Sequence, residues 1–330
     1  MERAAVYLTT RNLRIGYRHK NRENNLFEDL NLSLPAGRMI CFMGPNGAGK
    51  SSLLRTLAGL QKALAGDVEL SIPAEKRGEA RQIAVVLTDR INTLNLTVEE
   101  IVTFGRYPYL GWNIRLRESD KKIIGAAIEQ VRLHPILQKK VYELSDGQLQ
   151  MVMIARALAQ DTPIILLDEP TAHLDLNNRL EIMNLLRILS RETGKAILVA
   201  THELDLALQT ADLIWLTGKN RDILTGLPED MVLSGSFDEI FQFKGFDLKT
   251  GKVRHHAYRD VTLQLVGAGA PYLWTKNALE RNGFSVSKGQ QEIQITLLQD
   301  PEERIKWLVR NKDSRQVQVV DSIEKLMNLL

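Results

Sequence analysis

Gly44-Pro45-Asn46-Gly47-Ala48-Gly49-Lys50-Ser51 is the stretch on which the fold turns. It satisfies the pattern G-x-x-x-x-G-K-[ST] at every position. Its flanks agree: the apolar run Met39-Ile40-Cys41-Phe42-Met43 reads as a buried strand, and Leu53, Leu54, Leu57 and Leu60 follow at helical spacing. Glycines let such a loop curl until its N–H groups point inward at an anion. A helix opening near Lys50 adds the positive end of its dipole. The pattern sends Lys50 to the β- and γ-phosphates of a nucleotide and the Ser51 hydroxyl to Mg²⁺. A Gly-rich turn of another kind rarely sits between a buried strand and an apolar-periodic helix.

A second apolar strand, Ile164-Ile165-Leu166-Leu167, ends in Asp168-Glu169. Acids just past a central strand lie at the mouth of an α/β sheet, where ligands bind. Alternation at the strand end aims the two carboxylates differently. Asp168 suits Mg²⁺, and Glu169 suits the water that attacks a γ-phosphate. Taken alone, the pair also reads as a surface cap on the next element. Ala196 to Ala200 and Leu213 to Leu216 are further short apolar runs, as expected of central parallel strands. Strand–helix alternation over residues 163–245 predicts an α/β sheet covered by helices.

Composition narrows the classes. The 330 residues carry 43 Lys plus Arg against 40 Asp plus Glu, a net charge of +3 that is too small to argue for nucleic acid, and no nucleic-acid partner is expected. The local basic runs, Arg14 to Arg22 and Arg115 to Lys122, read as solvated surface. The one cysteine, Cys41, lies in an apolar run and reads as core packing. It cannot form an internal disulfide, which fits a reducing compartment. No stretch approaches the ~20 apolar residues of a spanning helix, and Met1 to Thr10 lacks the apolar core of a secretory signal. A membrane role would require docking on another subunit.

Short strands are predicted at Val6 to Leu8 and Leu13 to Tyr17. Residues 91–160 read as a helical subdomain. There Thr97-Val98-Glu99-Glu100 is a capping box, a second helix runs from about Asp120 to Leu133, and a third starts near Ser145. After Phe246 the pattern restarts. Val261 to Val266 reads as a strand, Pro271 to Asn282 as a helix, and Phe284 to Ser287 and Glu292 to Leu298 as strands. Pro301 to Asn311 reads as a helix, Gln316 to Val320 as a strand and Ser322 to Leu329 as a helix. That order, β-α-β-β-α-β-α, predicts a small α+β domain of ferredoxin-like type over 247–330, behind a larger domain at 1–246. Gly267-Ala268-Gly269-Ala270-Pro271 invites comparison with a dinucleotide loop, but Tyr272 stands at the third glycine, so a plain strand–helix turn is expected. His255-His256 lacks the further partners of a metal site.

Leu144-Ser145-Asp146-Gly147-Gln148 resembles the signature of ATP-binding-cassette (ABC) proteins, LSGGQ, with Asp146 at the middle Gly. It also reads as a simple Ser-x-x-Gln helix cap, and both can hold at once. Thr171-Ala172-His173-Leu174-Asp175 resembles the family's D-loop, and Val199 to Glu203 its switch region with His202 near the γ-phosphate. The fold so implied is a P-loop NTPase of ABC type, α/β with a helical subdomain. The implied nucleotide-binding set is Tyr17, Gly44, Pro45, Asn46, Gly47, Ala48, Gly49, Lys50, Ser51 and Ser52. Tyr17 would stack on adenine, though a Tyr near a strand end also packs plainly. Asp168 and Ser51 would hold Mg²⁺, Glu169 and His202 would be catalytic, and Leu144 to Gln148 would meet the ATP of an opposite protomer. Thr88 falls where the family has a Gln that senses the membrane subunit.

Phe104-Gly105-Arg106-Tyr107-Pro108-Tyr109, Leu158-Ala159-Gln160, His202 to Ala207 and Gly226 to Val232 are similar to the ATPase subunits of iron–siderophore, haem and cobalamin importers. This implies a homodimer on the cytoplasmic face of the cell membrane, beneath two transmembrane permease subunits fed by a substrate-binding protein. The segment from Thr88 to Trp112 would face the permeases. The alternative is a soluble cassette acting on ribosomes or DNA, but such proteins carry two cassettes or a long coiled coil. This chain has one phosphate loop and no such coil. The region beyond Phe246 is outside that branch's usual cassette and reads as an accessory or regulatory domain.

Overall fold

In the computed structural model the chain divides into two compact units, 1–242 and 243–330, close to the expected boundary at 246. The structure describes residues 5–19, 22–73, 82–87, 95–112, 114–218, 221–243, 246–249, 251–253, 257–299, 305–312 and 317–330. Thr88, His255 and His256 lie outside the described residues.

The first unit opens with β1 (Val6–His19), β2 (Arg22–Leu30), β3 (Ser33–Pro35), β4 (Met39–Met43), α1 (Lys50–Leu57), β5 (Ala65–Leu70) and β6 (Ile83–Val86). Then come α2 (Val98–Thr103), α3 (Glu118–Val131), α4 (Asp146–Ala159), β7 (Ile164–Asp168), α5 (Leu176–Thr193) and β8 (Ala196–Ala200). It closes with α6 (Leu204–Thr210), β9 (Leu213–Thr217), β10 (Ile223–Gly226), α7 (Pro228–Ser234) and α8 (Ser236–Phe241). The two short strands expected between Val6 and Tyr17 are one, β1, with an irregular register where Asn12 takes a positive φ of 45°. Leu60 lies past the end of α1 and is exposed.

The main sheet runs β10-β9-β4-β8-β7-β6. Its strands are parallel except for β10, which pairs antiparallel with β9. Every residue of β4, β7 and β8 is buried, as in a sheet covered on both faces. A second sheet, antiparallel, joins β2, β1, β3 and β5. Phe42 packs between Phe27 of that sheet and Trp215 of β9, with ring centroids 6.2 and 6.3 Å away, so the two sheets share one core. Within it, burial pushes the Cys41 thiol up to about 12, and so Cys41 is inert packing.

The helical layer α2–α4 begins at the expected cap. Thr97 Oγ1 accepts from Glu100 N–H and Glu100 reaches back to Thr97 N–H. Arg106 is buried there, donating through Nε to Asp120 at 2.9 Å and through Nη1 to the Ala159 carbonyl at 3.2 Å. Its guanidinium also lies 4.0 Å from the Tyr109 ring centroid. This rivet ties the Phe104–Tyr109 turn to α3 and α4.

The second unit holds β11 (Phe246–Asp247), β12 (Lys252–Val253), β13 (Thr262–Val266), α9 (Gly269–Arg281), β14 (Ser285–Ser287), β15 (Ile293–Gln299), β16 (Ile305–Asn311), β17 (Val317–Val320) and α10 (Ile323–Leu329). Its main sheet has the order β14-β13-β15-β16-β17. Two expectations fail. Residues 305–311 are a strand, not part of a helix over Pro301 to Asn311, because Trp307 and Val309 alternate into the core while their neighbours do not. The topology is consequently not ferredoxin-like: β13 and β14 pair directly and in parallel through α9, and β15, β16 and β17 form an antiparallel meander. The Gly267–Pro271 segment is a strand–helix turn, as expected.

Candidate functional site

Because β4, β8 and β7 are parallel neighbours, the loops that follow them leave from one edge of the sheet. Register makes them level: Phe42 pairs with Ala200, and Ala200 with Asp168. Thr201 N–H donates to the Phe42 carbonyl and Glu169 N–H to the Ala200 carbonyl, at 3.0 and 2.9 Å. Three motifs far apart in the chain thereby converge: the loop before Lys50, the acids Asp168 and Glu169, and His202.

The loop Gly44–Gly49 enters α1 through Gly49, whose φ of 96° suits glycine. A Cβ there would sit 2.9 Å from the Phe27 ring. No side chain caps α1, so the dipole end and the first N–H groups face the cradle. Lys50 is buried and bends back over the loop, its Nζ donating to the carbonyls of Gly44 at 2.9 Å and Pro45 at 3.3 Å. Burial lowers its pKa, while the charges of Glu169 and Asp168 act against that shift. The ammonium therefore shares its surroundings with both acids. Ser51 is exposed at the mouth. Ser52 is buried, and its Oγ lies 2.6 Å from Tyr17 Oη, a contact unforeseen in the sequence. The Tyr17 ring, half exposed, is thus anchored beside the start of α1.

Glu169 has a positive φ of 47°, a left-handed conformation that costs a non-glycine residue about 1–3 kcal/mol. Three contacts hold it there: its N–H donates to the Ala200 carbonyl, its own carbonyl accepts from Ala172 N–H at 3.1 Å, and Oε2 lies 2.7 Å from His202 Nδ1. An ionised carboxylate only accepts, so Nδ1 carries the proton. A carboxylate so held can take a proton from water beside a neighbouring imidazole. Asp168 is buried at the end of β7.

A hydroxyl and carboxylates are hard oxygen donors that suit Mg²⁺. Among the described residues no group of three or more His, Cys, Asp or Glu could hold a metal unaided. A cation bound at Ser51 and Asp168 therefore needs phosphate oxygens too, which is the habit of Mg²⁺.

The signature residues gather elsewhere. Ser145 caps α4, its Oγ accepting from Gln148 N–H while Gln148 Oε1 accepts from Ser145 N–H. Leu144 precedes the cap and Asp146 is its first helical residue. A Cβ on Gly147 would come within 2.8 Å of Asn178, so α4 and α5 begin side by side. Asp175 caps α5, and its two carboxylate oxygens accept from Asn178 N–H and Nδ2, each at 2.9 Å. Among the described residues no hydrogen bond or ion pair joins Ser145–Gln148 to Gly44–Ser52.

Comparison with known proteins agrees with this geometry. The family description "ABC transporter" matches residues 27–172, and "Iron ABC transporter C-terminal domain" matches residues 260–330. The "Uncharacterized ABC transporter ATP-binding protein MJ0873" of Methanocaldococcus jannaschii is 38% identical over 261 residues, 75% of this chain and 89% of that one. The iron(3+)-hydroxamate import ATP-binding protein FhuC of Bacillus subtilis is 36% identical over 239 residues, covering 71% and 87%. The cobalamin import ATP-binding protein BtuD of Halobacterium salinarum is 31% identical over 279 residues, covering 80% and 69%. Among solved structures, cbiO1 from Clostridium perfringens, part of the ABC transporter complex cbiONQ, superposes with a TM-score of 0.59 at 26% identity, covering 71% of this chain and 96% of that one. The dimeric bacterial cassette MJ0796 gives a TM-score of 0.55 at 27% identity, covering 67% and 98%. With its phosphate loop, acid strand and capped signature helix in this order and on this sheet, the chain belongs to the ATP-binding subunits of the ABC transporters.

Proposed function

We propose that this protein is the ATP-hydrolysing motor of an ABC importer for a chelated metal, of the ferric siderophore, haem or cobalamin kind. The observation that carries the chemistry is the convergence of Lys50, Asp168, Glu169 and His202 at one sheet edge. The loop Gly44, Pro45, Asn46, Gly47, Ala48 and Gly49 cradles the phosphates, Lys50 neutralises the β- and γ-groups, and Ser52 fixes Tyr17 against the nucleotide's base. Ser51 and Asp168 hold Mg²⁺, which when bound neutralises charge on the terminal phosphates. Glu169 receives the proton of the attacking water, and His202 keeps that carboxylate aimed through its Nδ1 proton.

Two copies pair so that each phosphate loop meets the other's Ser145 helix start, with Asp175 at the seam. The dimeric form of the related cassette MJ0796 supports this pairing. No described helix is long and apolar enough to cross a membrane. In this reading the motor docks on the cytoplasmic face of two permease subunits fed by a substrate-binding protein, in keeping with the import role of the related FhuC. Tyr107, about half exposed, and the fully exposed Trp112 are suited to that docking. The import roles of the related FhuC and BtuD, and the match of residues 260–330 to the iron ABC transporter C-terminal domain, support the cargo class. The second unit is an accessory or regulatory domain.

Glu169→Gln tests the core of the reading. It retains ATP binding while lowering kcat by roughly 10²–10⁴-fold, read by steady-state hydrolysis beside nucleotide titration. Hydrolysis at the unmutated rate removes Glu169 as the base. Uptake into vesicles carrying the permeases, offered ferric hydroxamate, haem or cobalamin in turn, identifies the cargo.

A further inference from the structure

Arg179, in the first turn of α5, bridges two loops of the site. Its Nε donates to the Leu174 carbonyl at 2.6 Å, in the loop between β7 and α5 that carries Asp175. Its Nη1 donates to Glu203 Oε1, also at 2.6 Å, in the loop after β8 that carries His202. One rigid, planar guanidinium thus spans both loops. Both side chains are partly buried, at 32% and 17% exposure. Glu203 Oε1 lies 3.8 Å from His202 Nε2, outside hydrogen-bond reach, while His202 Nδ1 lies 2.7 Å from Glu169. The imidazole therefore stands between two carboxylates, and Arg179 engages the one that would compete with Glu169.

We propose that Arg179 and Glu203 are positioning residues: Arg179 withholds Glu203 from His202 and latches the His202 loop to the Asp175 loop, so that a displacement of one loop reorients the other. The inference rests on the roles given above to Glu169 and His202. Neither Arg179 nor Glu203 touches reacting atoms. Their value as a plain ion pair would be small. Their effect lies in geometry. Without Arg179, the Glu203 carboxylate, 3.8 Å from the ring, competes with Glu169 for the one proton of the neutral imidazole, and the ring turns so that its protonated nitrogen leaves Glu169. The Leu174 carbonyl loses its donor in the same step, so the two loops part.

The test uses the full-length protein with its histidines isotopically labelled in the ring. The chain has six histidines, and a His202→Gln spectrum assigns the relevant signal. Arg179→Ala is expected to lower kcat by about tenfold or more, with KM for MgATP changed less than about twofold, and to shift the His202 ring signal. Arg179→Lys recovers part of the loss, because a point charge serves one partner but not both. Adding Glu203→Gln to Arg179→Ala recovers activity by removing the competing carboxylate. Independent, additive losses in the double variant overturn the latch, as does a His202 signal unmoved by Arg179→Ala. Where Arg179→Ala does not fold, Arg179→Lys with and without Glu203→Gln carries the same cycle. Glu169→Gln run alongside keeps the two readings apart. Undiminished turnover there defeats the assignment of the base, and the His202 signal still decides the latch.

Discussion

Two helices of this protein start at motifs read as phosphate-binding, and they start differently. The helix at Lys50 has Gly49 before it and no side-chain cap, so its dipole end faces the loop unscreened. The helix after Ser145 is closed by a reciprocal cap between Ser145 and Gln148, and Asp146 opens its first turn. An acid in that position stabilises a helix on its own, by about 0.3–1 kcal/mol, and opposes a second anion. The difference teaches how one physical device serves two situations. Where the chain itself supplies the lysine and the loop, the helix start is left open and preorganised. Where the phosphate is proposed to arrive with a second copy, the helix start is satisfied internally by Ser145 and Gln148.

The largest expected break in this contrast comes from Lys50→Ala. Charge-assisted hydrogen bonds are worth about 1.5–3 kcal/mol, so affinity for nucleotide should fall roughly 10- to 150-fold in a calorimetric titration. Ser145→Arg leaves that titration close to unmutated but puts bulk and charge at the second helix start. Hydrolysis should then lose its cooperativity, with a Hill slope of about 1; sustained cooperativity would count against pairing through this helix. Gly49→Ala forces a left-handed alanine against Phe27 and should lower stability by about 1–2 kcal/mol, seen as a reduced midpoint in urea. Asp146→Gly restores the usual signature residue and is the mildest test. It should tighten ATP-driven dimerisation by about 0.3–1 kcal/mol, measured by sedimentation of Glu169→Gln protein with ATP.

Legibility followed the range of the interactions. Local chemistry could be read in advance: the Gly44–Ser51 loop between an apolar strand and a helix, the acids ending a buried strand, and the capping boxes at Thr97 and Ser145. Each needs only neighbours within a few positions. The contact between Tyr17 and Ser52 spans 35 positions and that between Arg179 and Glu203 spans 24, and no local pattern signals either. The misread segment at 305–311 shows the opposite weakness. Ile305-Lys306-Trp307-Leu308-Val309 mixes apolar residues at both helical and strand spacing, and the choice was made by pairing with β15 and β17.

By itself the sequence determined that a phosphate loop, a pair of acids after a strand and a signature helix would exist, because turn chemistry, burial periodicity and caps are encoded residue by residue. Only the tertiary structure decided that β8 lies between β4 and β7 and so brings Lys50, Glu169 and His202 to one edge. It also decided that Glu169 is held in a left-handed conformation. Strand order and backbone strain are properties of the packed whole: the cost of bending Glu169 is met by bonds to Ala200 and His202, some thirty positions away in the chain.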